Sequence, residues 1–228
     1  MSSPGAMPRI VRDEDLAGVP AARLLDVVTA VTMILALPPA AADRVDALVV
    51  AIGQGEERRL TQAIRRWERN PRLRHLLVAN GNPAEQTYRE ITLDYLRGLG
   101  LRRTDGVRRQ PEPAPNTGLQ AGWIADQVRE LGIGSLALTV SPYHLPRAYL
   151  TVLSELNRRG LRLPVIPAPV AVAPHEPIPE TGATAYDLVP GEAKRILDYA
   201  AEGWVATPAE LRRYLTWLWQ THEALLAG

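Results

Sequence analysis

Gly134-Ser135-Leu136-Ala137-Leu138-Thr139-Val140, running straight into Ser141-Pro142-Tyr143-His144-Leu145-Pro146-Arg147-Ala148, is the stretch on which the fold turns. Its first half is a short, continuous apolar run of the kind that forms a strand buried on both faces, as in a parallel sheet. Its second half sets a hydroxyl, a phenol, an imidazole and a guanidinium where the chain should turn into a helix. In open α/β sheets, ligands bind outside the carboxyl ends of strands, where helix N-termini offer free N–H groups. The segment 141–147 is therefore a candidate active or binding site.

The same strand–polar loop–helix unit recurs on either side. Upstream, Asp46 to Ile52 reads as a strand followed by Gly53-Gln54-Gly55. Arg58 to Asn70 reads as a helix with Leu60, Ala63, Ile64 and Trp67 on one face. His75 to Ala79 is a second strand ending at Asn80-Gly81-Asn82, with a helix expected over 85–96 and stopped by Gly98 and Gly100. A short strand at 107–110 leads into the proline-rich 111–115, and Asn116-Thr117 caps a helix running to about Leu131. Downstream come a helix at 146–159, a strand at 163–166, irregular proline-rich chain to 190, and helices at 191–202 and 207–226. A helix at 21–37, stopped by Pro38-Pro39, precedes the first strand, and residues 1–19 read as loose. The βα alternation predicts an α/β fold: a Rossmann-like three-layer sandwich with a mostly parallel sheet, an N-terminal helix and a C-terminal helical extension. The expected division is 1–19, an α/β domain over 20–190, and an extension over 191–228 packed on it.

Composition narrows the function classes. The 228 residues suffice for a full core, and the net charge of +1 makes no electrostatic case for nucleic acid as a partner. The absence of cysteine excludes disulfides and thiol chemistry, and the absence of phenylalanine leaves an aliphatic core. Leu24 to Leu37 is apolar but contains Asp26 and follows the acidic Asp13-Glu14-Asp15. It is shorter than the roughly 20 residues of a membrane span and lacks the basic flank of a signal peptide. No membrane span and a cytoplasmic location are expected. The histidines at 75, 144, 175 and 222 lack ligand-like spacing, so no structural zinc site is expected.

Four loops should converge on one edge of the sheet: 53–56, 80–82, 112–117 and 141–147. Gly53-Gln54-Gly55 suits backbone approach to an anion, and it suits an ordinary tight turn equally. Asn80-Gly81 and Asn116-Thr117 are open in the same way, between ligand contact and turn or cap. His144 and Arg147, three apart, share one side of a helical first turn. The imidazole suits acid–base work and the guanidinium suits phosphate or carboxylate, although Arg147 has Glu56, Glu57 and Glu112 as alternative partners. Arg59 is the next candidate cation, ahead of Arg58. Trp217 and Trp219 cannot share a helix face, so one of them should be exposed, at a helix seam or in contact with a second copy of the chain.

In sum, the order Gly53…Arg59, then Asn80-Gly81 with Glu90, then Glu112…Asn116-Thr117, then Ser141-Pro-Tyr-His-Leu-Pro-Arg-Ala resembles the SanA/YdcF/ElyC family, known as domain of unknown function 218. The resemblance covers about residues 46–170, with Tyr143-His144-x-x-Arg147-Ala148 its sharpest element. It implies a Rossmann-type fold, a link to cell-envelope maintenance, and S-adenosylmethionine as a candidate ligand. The implied site comprises Gly53, Gly55, Arg59, Gly81, Glu90, Glu112, Asn116, Thr117, Ser141, Tyr143, His144 and Arg147. The chain departs from the family at Ala114, where a serine is common, and at Leu119-Gln120, where a Glu-Asn pair is usual. It also lacks the N-terminal membrane segment of envelope members.

The resulting expectation is an enzyme that hydrolyses or transfers a group of a phosphorylated or nucleotide-like small molecule. His144, Arg147 and Glu112 would be catalytic, with Gly53, Gln54, Gly55, Arg59, Asn80, Gly81, Glu90, Asn116, Thr117, Ser141 and Tyr143 binding the ligand. S-adenosylmethionine or a divalent cation are the candidate cofactors. The alternative is a non-catalytic binding protein for S-adenosylmethionine or another nucleoside. The ligand is expected to be anionic, and the C-terminal helices are the candidate surface for self-association.

Overall fold

The computed structural model describes residues 10–227. Its centre is a five-stranded sheet of β1 (Ala47–Ala51), β2 (His75–Ala79), β3 (Val107–Arg109), β4 (Leu136–Thr139) and β5 (Val165–Pro167), in the order β3-β2-β1-β4-β5. Every pairing is parallel: Ala47 stands opposite His75 on one side and Leu136 on the other, and Val50 opposite Val78 and Thr139. The fold is thus the expected α/β Rossmann-like sandwich, with the sheet wholly rather than mostly parallel.

The connections explain where the layers fall. The chain steps outward from β1 through α2 (Glu57–Arg69) and α3 (Leu93–Gly98) to β3. It then crosses back through α4 (Thr117–Leu131) to β4 and continues through α5 (Leu145–Arg158) to β5. Right-handed crossovers in opposite directions set α2 and α3 on one face of the sheet and α4 and α5 on the other. The direction of winding reverses between β1 and β4, which opens a crevice at their carboxyl ends.

All five residues of β1 are buried, as are those of β4, so these two strands are the centre of an aliphatic core. Trp67 on α2 is its largest fully buried side chain, and its indole N–H donates to the carbonyl of Arg103 at 2.8 Å. Asn116 caps α4 by accepting from the Leu119 N–H at 3.0 Å, and Gly132 ends the helix in the left-handed conformation (φ 61°). On that face α1 (Ala21–Leu35) packs against α5 and α6 (Ala185–Ala201).

Three expectations are corrected. The helix expected over 85–96 is irregular chain to Thr92, which caps the short α3. The Glu180 carboxylate accepts from the amides of Gln86 and Thr87, at 3.0 and 2.9 Å, and from the Thr87 hydroxyl, so these residues are drawn into a distant contact rather than a helix. The helix expected from 191 starts at Ala185, where Thr184 and Asp187 form a capping box, and it carries Pro190 inside it. The last helix is broken at His222 into α7 (Pro208–Thr221) and α8 (Glu223–Leu226). Of the segment expected to be loose, residues 1–9 lie outside the described residues, while Asp13–Leu16 form a 3-10 turn next to α6.

The C-terminal helices are tied to the sheet edge. The Tyr214 hydroxyl accepts from the Val165 N–H at 2.7 Å and donates to the Leu163 carbonyl at 3.1 Å. Trp219 is exposed and Trp217 half-buried against Tyr214. Among the described residues, no helix is long and apolar enough to cross a membrane.

Gly106, at the entry to β3, has φ +82°, and a Cβ there would lie 2.2 Å from the carbonyl oxygen of Arg74. Gly106→Ala is expected to lower stability in urea denaturation by about 1–3 kcal/mol, because the contact is with backbone that cannot swing aside. A loss indistinguishable from zero would contradict this packing of β2 and β3.

Candidate functional site

The crevice between β1 and β4 is bridged by two buried clusters of charge. The first joins the loop after β1 to the loop after β4. Glu56 forms an ion pair with Arg59 one turn further on, and its oxygens accept from the hydroxyls of Ser141 at 2.6 Å and Tyr143 at 2.7 Å. Arg59 also donates to Ser141 Oγ at 3.0 Å, to the Ala51 carbonyl at 3.2 Å and to the Tyr143 oxygen at 3.2 Å. Arg58 reaches Glu56 from the surface at 2.8 Å. Burial by itself would raise the Glu56 carboxyl, but Arg59, the two hydroxyls and Arg58 hold it below the usual range.

The second cluster joins α4, α5 and α6. Arg147, in the first turn of α5, grips Glu192 of α6 with two parallel bonds, Nε to Oε2 at 2.6 Å and Nη2 to Oε1 at 3.1 Å. Its Nη1 donates to the Thr117 hydroxyl at the start of α4, at 2.7 Å. Arg195 adds a bond to Glu192 at 3.1 Å. The His144 Nδ1 lies 3.2 Å from Glu192 Oε2 and 3.0 Å from Arg147 Nη2. A neutral ring satisfies only one of these: a proton on Nδ1 serves Glu192 and leaves Nε2 a bare acceptor, while a bare Nδ1 serves Arg147 and places the proton on Nε2. Nε2 has no protein partner among the described residues in either case. Burial, then the Arg147 charge, push the imidazole down to about 4, with Glu192 offsetting part of the shift. Burial alone would raise Glu192, and Arg147 with His144 hold it well below the carboxylate range.

Between the clusters lies a cleft of about 210 Å³. Gly53, Gln54, Arg59, Asn116, Thr117, Tyr143, His144 and Arg147, all expected in the site, line it together. The remaining expected residues stand elsewhere. Ser141 is buried in the first cluster. Gly55 faces Thr87 and Pro179, where a Cβ would lie 2.7 and 2.9 Å from their side chains. Asn80 spends its amide on the Gln110 carbonyl and the Gly81 N–H, so it is a turn residue, and Gly81 packs near Ile52 and Tyr88. Glu90 and Glu112 are exposed outside the cleft, because 85–92 is not helical and 111–113 faces solvent.

The glycine loop also departs from an anion cradle. The Gln54 N–H donates to Glu85 Oε2 at 2.7 Å, and the amides of Glu56 and Glu57 are spent on carbonyls within the loop. A carboxylate of the protein thus occupies the place expected for a ligand anion. Gln54 is the one non-glycine residue with positive φ (60°) among the described residues.

Three acidic residues complete the site without having been among the expected ones: Glu56, Glu85 and Glu192. Glu56 stands three residues before Arg59, a spacing that signals a helical ion pair. Glu192 stands at the same spacing before Arg195, but nothing local signals its partners in the site, Arg147 and His144, which are 45 and 48 residues away. Among the described residues, no group of three or more His, Cys, Asp or Glu side chains is arranged to hold a metal ion.

Comparison with known proteins adds no family: no family model matches this chain, and no curated protein matches it.

Removing Glu192 would leave Arg147 buried beside a ring that accepts no positive charge. Glu192→Ala is expected to cost about 3–5 kcal/mol in denaturant unfolding, against less than about 0.5 kcal/mol for Glu112→Ala at the surface. The His144 ring predicts a pH dependence as well. Its folded value of about 4 lies below the ordinary 6.5, so between the two the unfolded chain binds more protons. The ring's contribution to stability is present above 6.5 and is lost as pH falls toward 4. Stability curves of His144→Gln should be flatter than wild type across that window, and curves of equal slope would contradict a buried neutral ring.

Proposed function

We propose that this protein is an enzyme of the SanA/YdcF type, acting in the cytoplasm on a small phosphorylated molecule by hydrolysis or group transfer. The observation that carries this is Arg147, which binds Thr117 and Glu192 at once, beside the His144 ring, where the N-termini of α4 and α5 meet the cleft. Two helices of 15 and 14 residues direct their positive ends there, and a phosphoryl group would meet both, together with the Thr117 hydroxyl.

The protein groups around His144 do not by themselves ready it for proton transfer, since the ring stays neutral to about pH 4. A phosphate dianion beside it reverses the effect of Arg147 and raises the imidazole toward neutrality, so substrate binding would itself activate the group. In hydrolysis, His144 takes a proton from water as the oxygen attacks phosphorus, and it returns the proton to the leaving oxygen as the P–O bond breaks. In transfer, an acceptor hydroxyl replaces the water. Arg147 meets charge developing on the phosphoryl oxygens. The Glu56–Arg59 cluster holds the two loops in register.

A nucleoside or S-adenosylmethionine ligand is less well supported. The cleft is smaller than the roughly 300–1,000 Å³ of pockets for drug-sized ligands. Asn80, where a Rossmann site usually presents an acid to the ribose, is committed to Gln110 and Gly81.

The test is a panel of phosphomonoesters assayed for turnover and for thermal stabilisation. A substrate should raise the melting temperature of both wild type and His144→Gln, while the variant loses roughly 10²–10⁴-fold in kcat. In ring NMR titrations the same ligand should lift the His144 midpoint above its free value. Unchanged kcat in the variant, or a midpoint that ligand leaves in place, would remove His144 from the chemistry.

A further inference from the structure

The two ends of the cleft differ in hydrogen-bonding character. At the α4–α5 end stand the donors Arg147, Thr117 and the first turn of α4, with the Glu192 carboxylate already held by two arginines. At the other end stand Gln54 and Glu85. Glu85 Oε2 is taken by the Gln54 N–H, while Oε1, which is not sealed from solvent, accepts no bond from the described residues. Among the described residues, no arginine is paired with Glu85, in contrast to Glu56 and Glu192, which each have two. The same carboxylate lines a second hollow of about 580 Å³ beyond Gly53, so it stands at the junction of both spaces.

This carboxylate is held where an isolated loop would not keep it. Its Gln54 partner adopts a positive φ, a conformation that is strained for a non-glycine residue and that surrounding structure must impose. Gln54 Oε1 is buried without a hydrogen-bond partner among the described residues, a further cost concentrated at the same spot. Burial, with Glu180 and Glu56 nearby, also pushes the Glu85 carboxyl up, and the Gln54 amide offsets part of that. An acceptor kept short of partners beside a cleft is one that a ligand donor can satisfy.

We infer that Glu85 is a specificity-determining residue, and that the substrate carries, on the side opposite its phosphoryl group, a hydroxyl or ammonium that donates to Glu85. The inference rests on the phosphoryl end of the cleft proposed above and narrows the substrate to small hydroxyl- or amine-bearing phosphates. Plain alkyl phosphates would leave the Glu85 oxygen unpaired, and rejection of ligands lacking a donor is the strongest selectivity a polar site achieves.

Three probes of similar size separate the possibilities: ethyl phosphate, glycerol 3-phosphate and phosphoethanolamine. Their affinities for the full chain and for Glu85→Gln are measured by calorimetry, with circular dichroism melts confirming that the variant folds. Wild type should bind glycerol 3-phosphate or phosphoethanolamine at least about tenfold more tightly than ethyl phosphate. Preference for glycerol 3-phosphate assigns the hydroxyl, and preference for phosphoethanolamine assigns the ammonium. In Glu85→Gln, whose amide oxygen can keep the Gln54 bond and turn its NH₂ to the cleft, the ratio should fall to within about threefold. Ethyl phosphate should then bind more tightly, because a negative charge has left. Equal binding of all three by wild type, or a ratio that survives in the variant, overturns the role of Glu85 and leaves the phosphoryl site standing. If none of the three binds, the phosphoryl site falls and this inference falls with it.

Discussion

The grip of Arg147 on Glu192 is the interaction around which the rest of the site is arranged. It fastens α6 to the first turn of α5 and, through Thr117, to the start of α4. Burying two charges costs several kcal/mol each, and the cost is recovered only where geometry is good and the remaining donors are satisfied. Arg147 meets that condition with a bidentate bond and the Thr117 hydroxyl as a further partner. The Glu56–Arg59 pair does the same for the loops after β1 and β4, with Ser141, Tyr143 and the Ala51 carbonyl completing its bonds. Two pairs of this kind on either side of one crevice make its walls rigid, because neither can open without exposing an uncompensated charge.

That rigidity sets the chemistry. Glu56, Glu85 and Glu192 face Arg59, Arg147 and Arg195 around the cleft, so its charge is close to balanced rather than strongly positive. Recognition of an anion, as proposed above, would then come from directed bonds and helix ends, not from a bulk field. In the same space two titratable groups shift in opposite directions: His144 is pushed down and Glu85 up. Opposed shifts within one enclosed space are the pattern by which acid and base roles are usually divided, and they arise here from burial in both cases, acting on opposite charges.

Local pattern made the framework readable. The apolar runs at 47–51, 75–79 and 136–139 became the three central strands, and Asn116 capped α4 as its position before an amphipathic helix implies. His144 and Arg147 share a first turn because three-residue spacing on a helix leaves no other arrangement. Glu112 and Glu90 illustrate the opposite case. Each lies in a loop or helix expected at the right sheet edge, but their side chains point to solvent, and nothing in a loop's composition states its direction. The segment 85–92 carries helix-forming residues, and the Glu180 carboxylate, more than ninety positions away in sequence, takes two of its amides.

From the sequence alone came the parallel α/β sheet, the sheet edge on which the cleft opens and the imidazole–guanidinium pair that lines it. Each of these follows from periodicity, capping or spacing within about twenty residues. Tertiary structure decided the carboxylates: Glu56 turned inward against two hydroxyls more than eighty residues distant, Glu192 brought over from α6, and Glu85 lodged on the glycine loop in place of an anion. A buried charge is tolerated only where its partners converge, and convergence across the chain is a property of packing that no local pattern encodes.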